Sequence, residues 1–344
     1  MTETELRERL EAFIGVSAGG AARVEAVRPL AGGASLESLA VDVTISGGPE
    51  AGRHALVLRM DQASRMNPEA LDRAGEFALL RAADEAGVLV PRPRWLEPTG
   101  AVLGRPFLLM ERIAGETIGA RIVRRPELAA ARAALPRQMA QQLARIHAIN
   151  PTGLSFLPRP PNGMTPAAHA MAQMRALIDR LHIASPALEF GLRWLAAHEP
   201  PPVPSVLVHG DFRIGNLMVG PEGLRAVLDW EFAHLGDPHE DLAWPTVRDW
   251  RFGNDALPVG GVGELEPYLA AYEAASGWRV NRSAVRFWEI LGNLRWAATC
   301  RSQAQRHLSG ADPSVELASL GRRAAEMELE FLTLIEHANE QKDP

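Results

Sequence analysis

Asp211, Asn216 and Asp229 are the residues whose types and spacing could do chemistry. They lie in Val208-His209-Gly210-Asp211-Phe212-Arg213-Ile214-Gly215-Asn216-Leu217 and in Leu228-Asp229-Trp230-Glu231. Phosphoryl transfer needs one base to take or orient the proton of an acceptor hydroxyl. It also needs hard oxygen ligands for a divalent cation that neutralises phosphate charge. Asp211 suits the first role, and Asn216 and Asp229 suit Mg²⁺. Arg213 could brace the loop or neutralise charge on the transferring group. Each residue alone has a plainer use: a turn, a strand end, a helix cap. All of them at this spacing, between apolar strands, form a stronger signal.

The flanking sequence says what must position them. Val206-Leu207-Val208 reads as a buried strand running into His209. Leu217-Met218-Val219 and Ala226-Val227-Leu228 read as two more strands, joined by a turn at Gly220-Pro221-Glu222-Gly223. That hairpin brings Asn216 and Asp229 near one another, as a shared cation requires. Upstream, residues 24–60 read as β structure, with Leu39, Val41, Val43 and Ile45 alternating with polar or small neighbours. Before that alternation lies a Gly-rich turn, Leu30-Ala31-Gly32-Gly33-Ala34-Ser35, whose amides can approach a polyphosphate. Residues 68–87 read as a helix, and 106–110 as a short apolar strand. Beyond Gly115 the chain is mostly helical in pattern. Pro136 is expected to separate a helix at 128–134 from one at 136–148. Thr2 and Glu5 have capping-box spacing at the start of the first helix.

The motifs HGDFRIGNLM and LDWEFAHLGDPHEDLAW, with the Gly-rich segment upstream, resemble the aminoglycoside phosphotransferase-like family. Within it, the chain is similar to the subgroup found beside, or fused to, acyl-CoA dehydrogenases. The resemblance runs through nearly the whole chain. It implies an α+β, bilobal protein-kinase-like fold: an N-terminal lobe (1–113) with an antiparallel sheet and one main helix, and a larger helical lobe (114–344) carrying the catalytic hairpin. It implies transfer of the terminal phosphoryl group of ATP or GTP, with Mg²⁺, to a hydroxyl of a small molecule such as a hydroxyacyl metabolite. Gly32, Gly33, Ala34 and Ser35 would cover the nucleotide, and backbone groups around Met110, Glu111 and Ile113 would hold its base. The family's strand lysine is replaced here by Arg59, with Glu76 its matching helix partner. Arginine can still hold phosphate, but as a bulkier fork. By the same resemblance Asp241 caps a helix and braces the catalytic loop, and His209 orients that loop. The alternative is a catalytically silent module that binds a nucleotide or a partner. Arg59 favours it, while the retention of a base at Asp211 argues against it.

Bulk composition sets wide bounds. A chain of 344 residues with 47% hydrophobic and 23% charged residues has ample core for one large or two moderate domains. A net charge of −6 argues against a general nucleic-acid binder. The one cysteine, Cys300, permits no intrachain disulfide and no cysteine metal cluster, and reads as a small core residue. The charged, helix-patterned N-terminus lacks a secretory apolar core, and no apolar run is long enough to span a bilayer. A cytoplasmic protein is expected. A hydrolase of the Gly-x-Ser-x-Gly type is unsupported, since that elbow is missing.

Overall fold

A computed structural model describes residues 1–30, 38–61 and 70–340. The predicted nucleotide-covering residues Gly32, Gly33, Ala34 and Ser35 therefore lie outside the described residues. The chain opens with α1 (Glu3–Ala18), entered through the expected Thr2–Glu5 capping box. It continues through β1 (Ala21–Pro29), β2 (Ser38–Ser46), β3 (Gly52–Met60), α2 (Arg73–Glu85), β4 (Pro93–Glu97) and β5 (Phe107–Glu111). The five strands form one sheet in the order β1-β2-β3-β5-β4, antiparallel throughout. The period-two pattern of β2 places Val41, Val43 and Ile45 in the core with Leu10 and Ile14 of α1. α2 starts later than the pattern suggested, because Asp72 caps it by accepting from the Gly75 amide.

The second lobe is helical: α3 (Gly119–Arg124), α4 (Ala129–His147), α5 (Pro166–Arg180), α6 (Pro186–Ala197). β6 (Val206–Val208), β7 (Leu217–Gly220), β8 (Gly223–Val227) and β9 (His234–Gly236) follow. Then come α7 (Pro238–Ala243), α8 (Leu265–Ser276), α9 (Arg282–Leu308) and α10 (Val315–Glu340). One expectation fails here. Pro136 lies inside α4 instead of splitting it. Such a proline costs on the order of 3 kcal/mol. The continuous buried stripe of Ala131, Leu135, Met139, Leu143 and Ile146 offsets that cost. Gly263 gives the ring its room, since a Cβ there would overlap Pro136.

The two cores are distinct. The sheet packs with α1, whereas Leu79, Leu80 and Ala83 of α2 join the large core of the helical lobe. Among the described residues, no helix is long and apolar enough to cross a membrane. Cys300 is buried in α9, and burial pushes its thiol up to about 12, so it is inert packing.

Candidate active site

β6 delivers His209 into a fully buried position, and β7 and β8 pair antiparallel with Leu217 opposite Val227. The Leu228 amide donates to the Asn216 carbonyl at 2.8 Å, so the hairpin sets Asn216 beside the approach to Asp229. Asp229 itself takes a left-handed backbone (φ 66°), which aspartate tolerates better than most residues.

The Asp211 carboxylate is held from three directions. The Asn216 amide nitrogen donates to its Oδ2 at 2.6 Å, and the Trp244 indole N–H donates to its Oδ1 at 2.6 Å. The Arg213 Nε lies 3.2 Å and 3.3 Å from the two oxygens. The Arg213 guanidinium also lies over the Trp250 ring, 4.6 Å from its centre. Because Asn216 spends its nitrogen on Asp211, its amide oxygen is the end that could face a cation.

The loop is fixed from beneath by Asp241. Its carboxylate accepts from the His209 amide at 2.6 Å and the Gly210 amide at 3.0 Å. Burial opposes the Asp241 charge, but the His147 imidazole and the two amides outweigh it and keep its pKa low. The bracing role matches expectation; the capping role does not, because Asp237 caps α7 and Asp241 sits inside it. His147 is a satisfied core histidine, bonded to Tyr272 as well as Asp241. Burial lowers the His209 pKa despite nearby carboxylates, so the ring is neutral. Its Nε2 lies 3.0 Å from the Leu228 carbonyl and its Nδ1 accepts from the Asp211 amide, which assigns the proton to Nε2. His209 thus ties Leu228 to Asp211. Gly210 is required at its place: φ is 79°, and a Cβ would meet the Phe232 carbonyl oxygen at 2.4 Å. Asp241→Ala would leave two buried amides and His147 without their acceptor. A loss of roughly 3–5 kcal/mol is expected, measured by urea unfolding; a loss under about 1 kcal/mol would refute the bracing role.

Arg59, at the end of β3, reaches across to three carboxylates. It donates to Glu76 at 2.7 Å and to Asp229 at 2.5 Å, and lies 3.5 Å from Glu231. Burial works against its charge, but Glu76 and then Asp229 hold the guanidinium firmly protonated. Burial likewise opposes the Asp229 charge, and Arg59 overrides it, keeping the carboxyl below its usual range. The sequence-based Arg59–Glu76 pairing is thus present. Arg73 also grips Glu76 and bonds Asp61. Glu231 is 19% exposed beside Arg59. Burial, then the charge of Asp229, pushes its pKa up to about 7.

Met110 and Glu111 end β5, where the Glu111 amide donates to the Arg92 carbonyl and the Arg112 amide to the Ala55 carbonyl. The Ile113 amide has no backbone partner among the described residues. Among the described residues, no three His, Cys, Asp or Glu side chains gather as a metal site. Asn216 and Asp229 offer hard oxygens, and a cation held by that pair would take the rest of its shell from substrate and water.

Sequence reasoning missed Arg73, Trp244 and Trp250. The first two had a signal: Arg73 precedes Glu76, and Trp244 follows Asp241, by three residues, one helical turn. A cavity of about 420 Å³ bounded by Arg124, Arg248, Phe252 and Arg323 contains none of the predicted site residues.

The five-stranded lobe, the helical lobe and the braced hairpin define a bilobal protein-kinase-like fold. The family model described as "Phosphotransferase enzyme family" matches residues 26–288, and the chain belongs to that family. Mouse acyl-CoA dehydrogenase family member 10 is 29% identical over 313 residues, covering 81% of this chain and 27% of that protein. The chain spans well under half the length of such curated relatives. Among solved structures, a candidate aminoglycoside phosphotransferase from Ralstonia eutropha JMP134 superposes with a TM-score of 0.72 at 22% identity, covering 96% of this chain and 98% of that one. Spectinomycin phosphotransferase APH(9)-Ia, solved with ADP and spectinomycin, gives 0.58 at 12% identity, covering 94% and 98%. These structural likenesses establish the fold.

Proposed function

We propose that this chain transfers the terminal phosphoryl group of ATP or GTP to a hydroxyl of a small molecule. The observation that carries the reading is the Asp211 carboxylate, oriented by Asn216, Trp244 and Arg213 at the end of a buried, braced loop. A binding-only domain has no need of a base so held. Asp211 accepts or orients the acceptor's proton. Arg59 meets the phosphates, Glu76 aims it, and Arg213 offsets charge near the base. Mg²⁺, held by Asn216 and Asp229 when bound, neutralises phosphate charge. Met110, Glu111 and Ile113 border the base of the nucleotide, with the Ile113 amide as a donor. Gly32, Gly33, Ala34 and Ser35 complete the phosphate cover, and the lobes meet near residue 113. Similarity to a region of acyl-CoA dehydrogenase family members 10 and 11 supports a hydroxyacyl metabolite as acceptor.

A second reading has one observation in its favour: Arg59 is already committed to Glu76 and Asp229, as in a silent nucleotide- or partner-binding module. Thermal unfolding with ATP and GTP, each with and without Mg²⁺, separates the two when followed by product detection. A metal-dependent stabilisation, absent in Asp229→Ala, together with transfer to any hydroxyl or to water, is the expected result. No stabilisation at saturating nucleotide would sink the proposal. Stabilisation without any turnover would leave the silent module.

A further inference from the structure

Resting on that reading, we infer that Trp244 is a positioning residue for the base, and that Arg295 and Gly292 of α9 set Trp244 in turn. Trp244 follows α7 directly, one turn beyond Asp241. The same short segment therefore holds the catalytic loop twice: Asp241 by its backbone amides, and Trp244 by the Asp211 side chain. The two grips differ in purpose. Backbone amides fix where the loop runs; an N–H on Oδ1, opposed by Asn216 on Oδ2, fixes how the carboxylate is turned. With a short bond to each oxygen and the Arg213 Nε shared between the two, the remaining lone pairs point in set directions, and an acceptor hydroxyl meets the carboxylate in one pose.

An indole can do this only if its own ring is immobile, and the surroundings ensure it. Trp244 is 7% exposed. The Arg295 guanidinium lies 5.1 Å from the ring centre and is itself held by Glu240 at 3.3 Å. Glu240 also bonds His234 on β9, the strand that pairs with β6 just before the catalytic loop. The Trp250 ring packs at 5.7 Å, tilted by 57°. From α9, Gly292 leaves the space that the ring uses: a Cβ there would lie 3.4 Å from Trp244 and 2.9 Å from Val247. Arg295 and Gly292 are separated by three residues, so one face of α9 supplies both the cation and the gap. A tryptophan serving only as packing has no reason to direct its N–H to a carboxylate at 2.6 Å.

Two measurements test this, one of them independent of turnover. In isotope-labelled full-length protein, the eight indole N–H resonances are compared for wild type, Trp244→Phe, Asp211→Asn and Arg295→Gln. The signal missing in Trp244→Phe identifies the residue. It is expected to move in both other variants, and to exchange with solvent about 10-fold faster in Asp211→Asn, as loss of a charge-assisted bond implies. A signal unmoved by Asp211→Asn overturns the proposal; where Trp244→Phe fails to fold, backbone-linked assignment of the wild-type indole signals identifies the residue instead. The second measurement is nucleotide turnover with water, or any acceptor found, as the recipient. Trp244→Phe keeps an aromatic, though smaller, side chain and loses the N–H. Its kcat should fall about 10²-fold, the scale of a misplaced reacting group, while the nucleotide KM stays within about twofold. An unchanged kcat, or a loss carried by KM, overturns the positioning role. A wild type that turns over no nucleotide fails the phosphotransferase reading alone, and the resonance still decides whether Trp244 holds Asp211.

Discussion

Asp211→Asn is expected to bind nucleotide as the wild type does and to lose about 10²- to 10⁴-fold in turnover, the usual contribution of a general base. The substitution is nearly isosteric, so the loop below it should persist: Asp241 still holds the His209 and Gly210 amides. What changes is the number of acceptors. Trp244, Asn216 and Arg213 all present donors to this side chain. An amide offers one oxygen in place of two and turns an N–H₂ toward at least one of those donors. The altered site can neither take a proton nor keep its orientation. Steady-state turnover paired with a nucleotide titration checks this. Activity within about threefold of wild type would remove Asp211 from the mechanism.

Asp229→Asn should act on binding instead. Asparagine tolerates the left-handed backbone that Asp229 adopts, so the turn survives. The negative charge that faces Arg59, and that would face a cation, is lost. Losing one charge-assisted interaction is worth about 1.5–3 kcal/mol, so metal-dependent nucleotide affinity should fall roughly 10- to 100-fold. The metal-independent part should rise or hold, because Arg59 is released from its 2.5 Å contact and gains freedom to meet phosphate. Calorimetric titration of nucleotide with and without Mg²⁺ separates the two components. Equal losses in both would mean that Asp229 shapes the pocket without ligating the ion.

Much of this arrangement was legible in the residues, for reasons that differ between the parts. The hairpin around Asn216 was readable because its turn residues and apolar flanks are local signals. So was the start of α1, set by the Thr2–Glu5 capping box. Pro136 misled because a local rule was overridden by the buried face of α4 and by Gly263, distant in sequence. Arg59–Glu76 could be paired by resemblance, but the bridge to Asp229 spans 170 positions and has no periodic signature. Trp244 hid for a chemical reason: in sequence an indole counts first as apolar bulk, and only its distance to Asp211 shows its N–H at work. The placement of Glu231 beside Arg59 was not readable, because burial of a carboxylate depends on what the other lobe brings against it.

α2 packs its apolar face into the core of the helical lobe, while β3 belongs to the core beneath the sheet. α2 also lies against β4 and β5, so Arg59 and Glu76 stay together at the sheet, whereas Asp229 follows β8 in the helical lobe. Any rocking of the sheet against the helical lobe must stretch or renew the Arg59–Asp229 contact and its longer neighbour at Glu231. That contact works as a built-in gauge of cleft opening, and a pair of distance probes, one on β3 and one on β8, would read the gap between the two lobes as nucleotide enters.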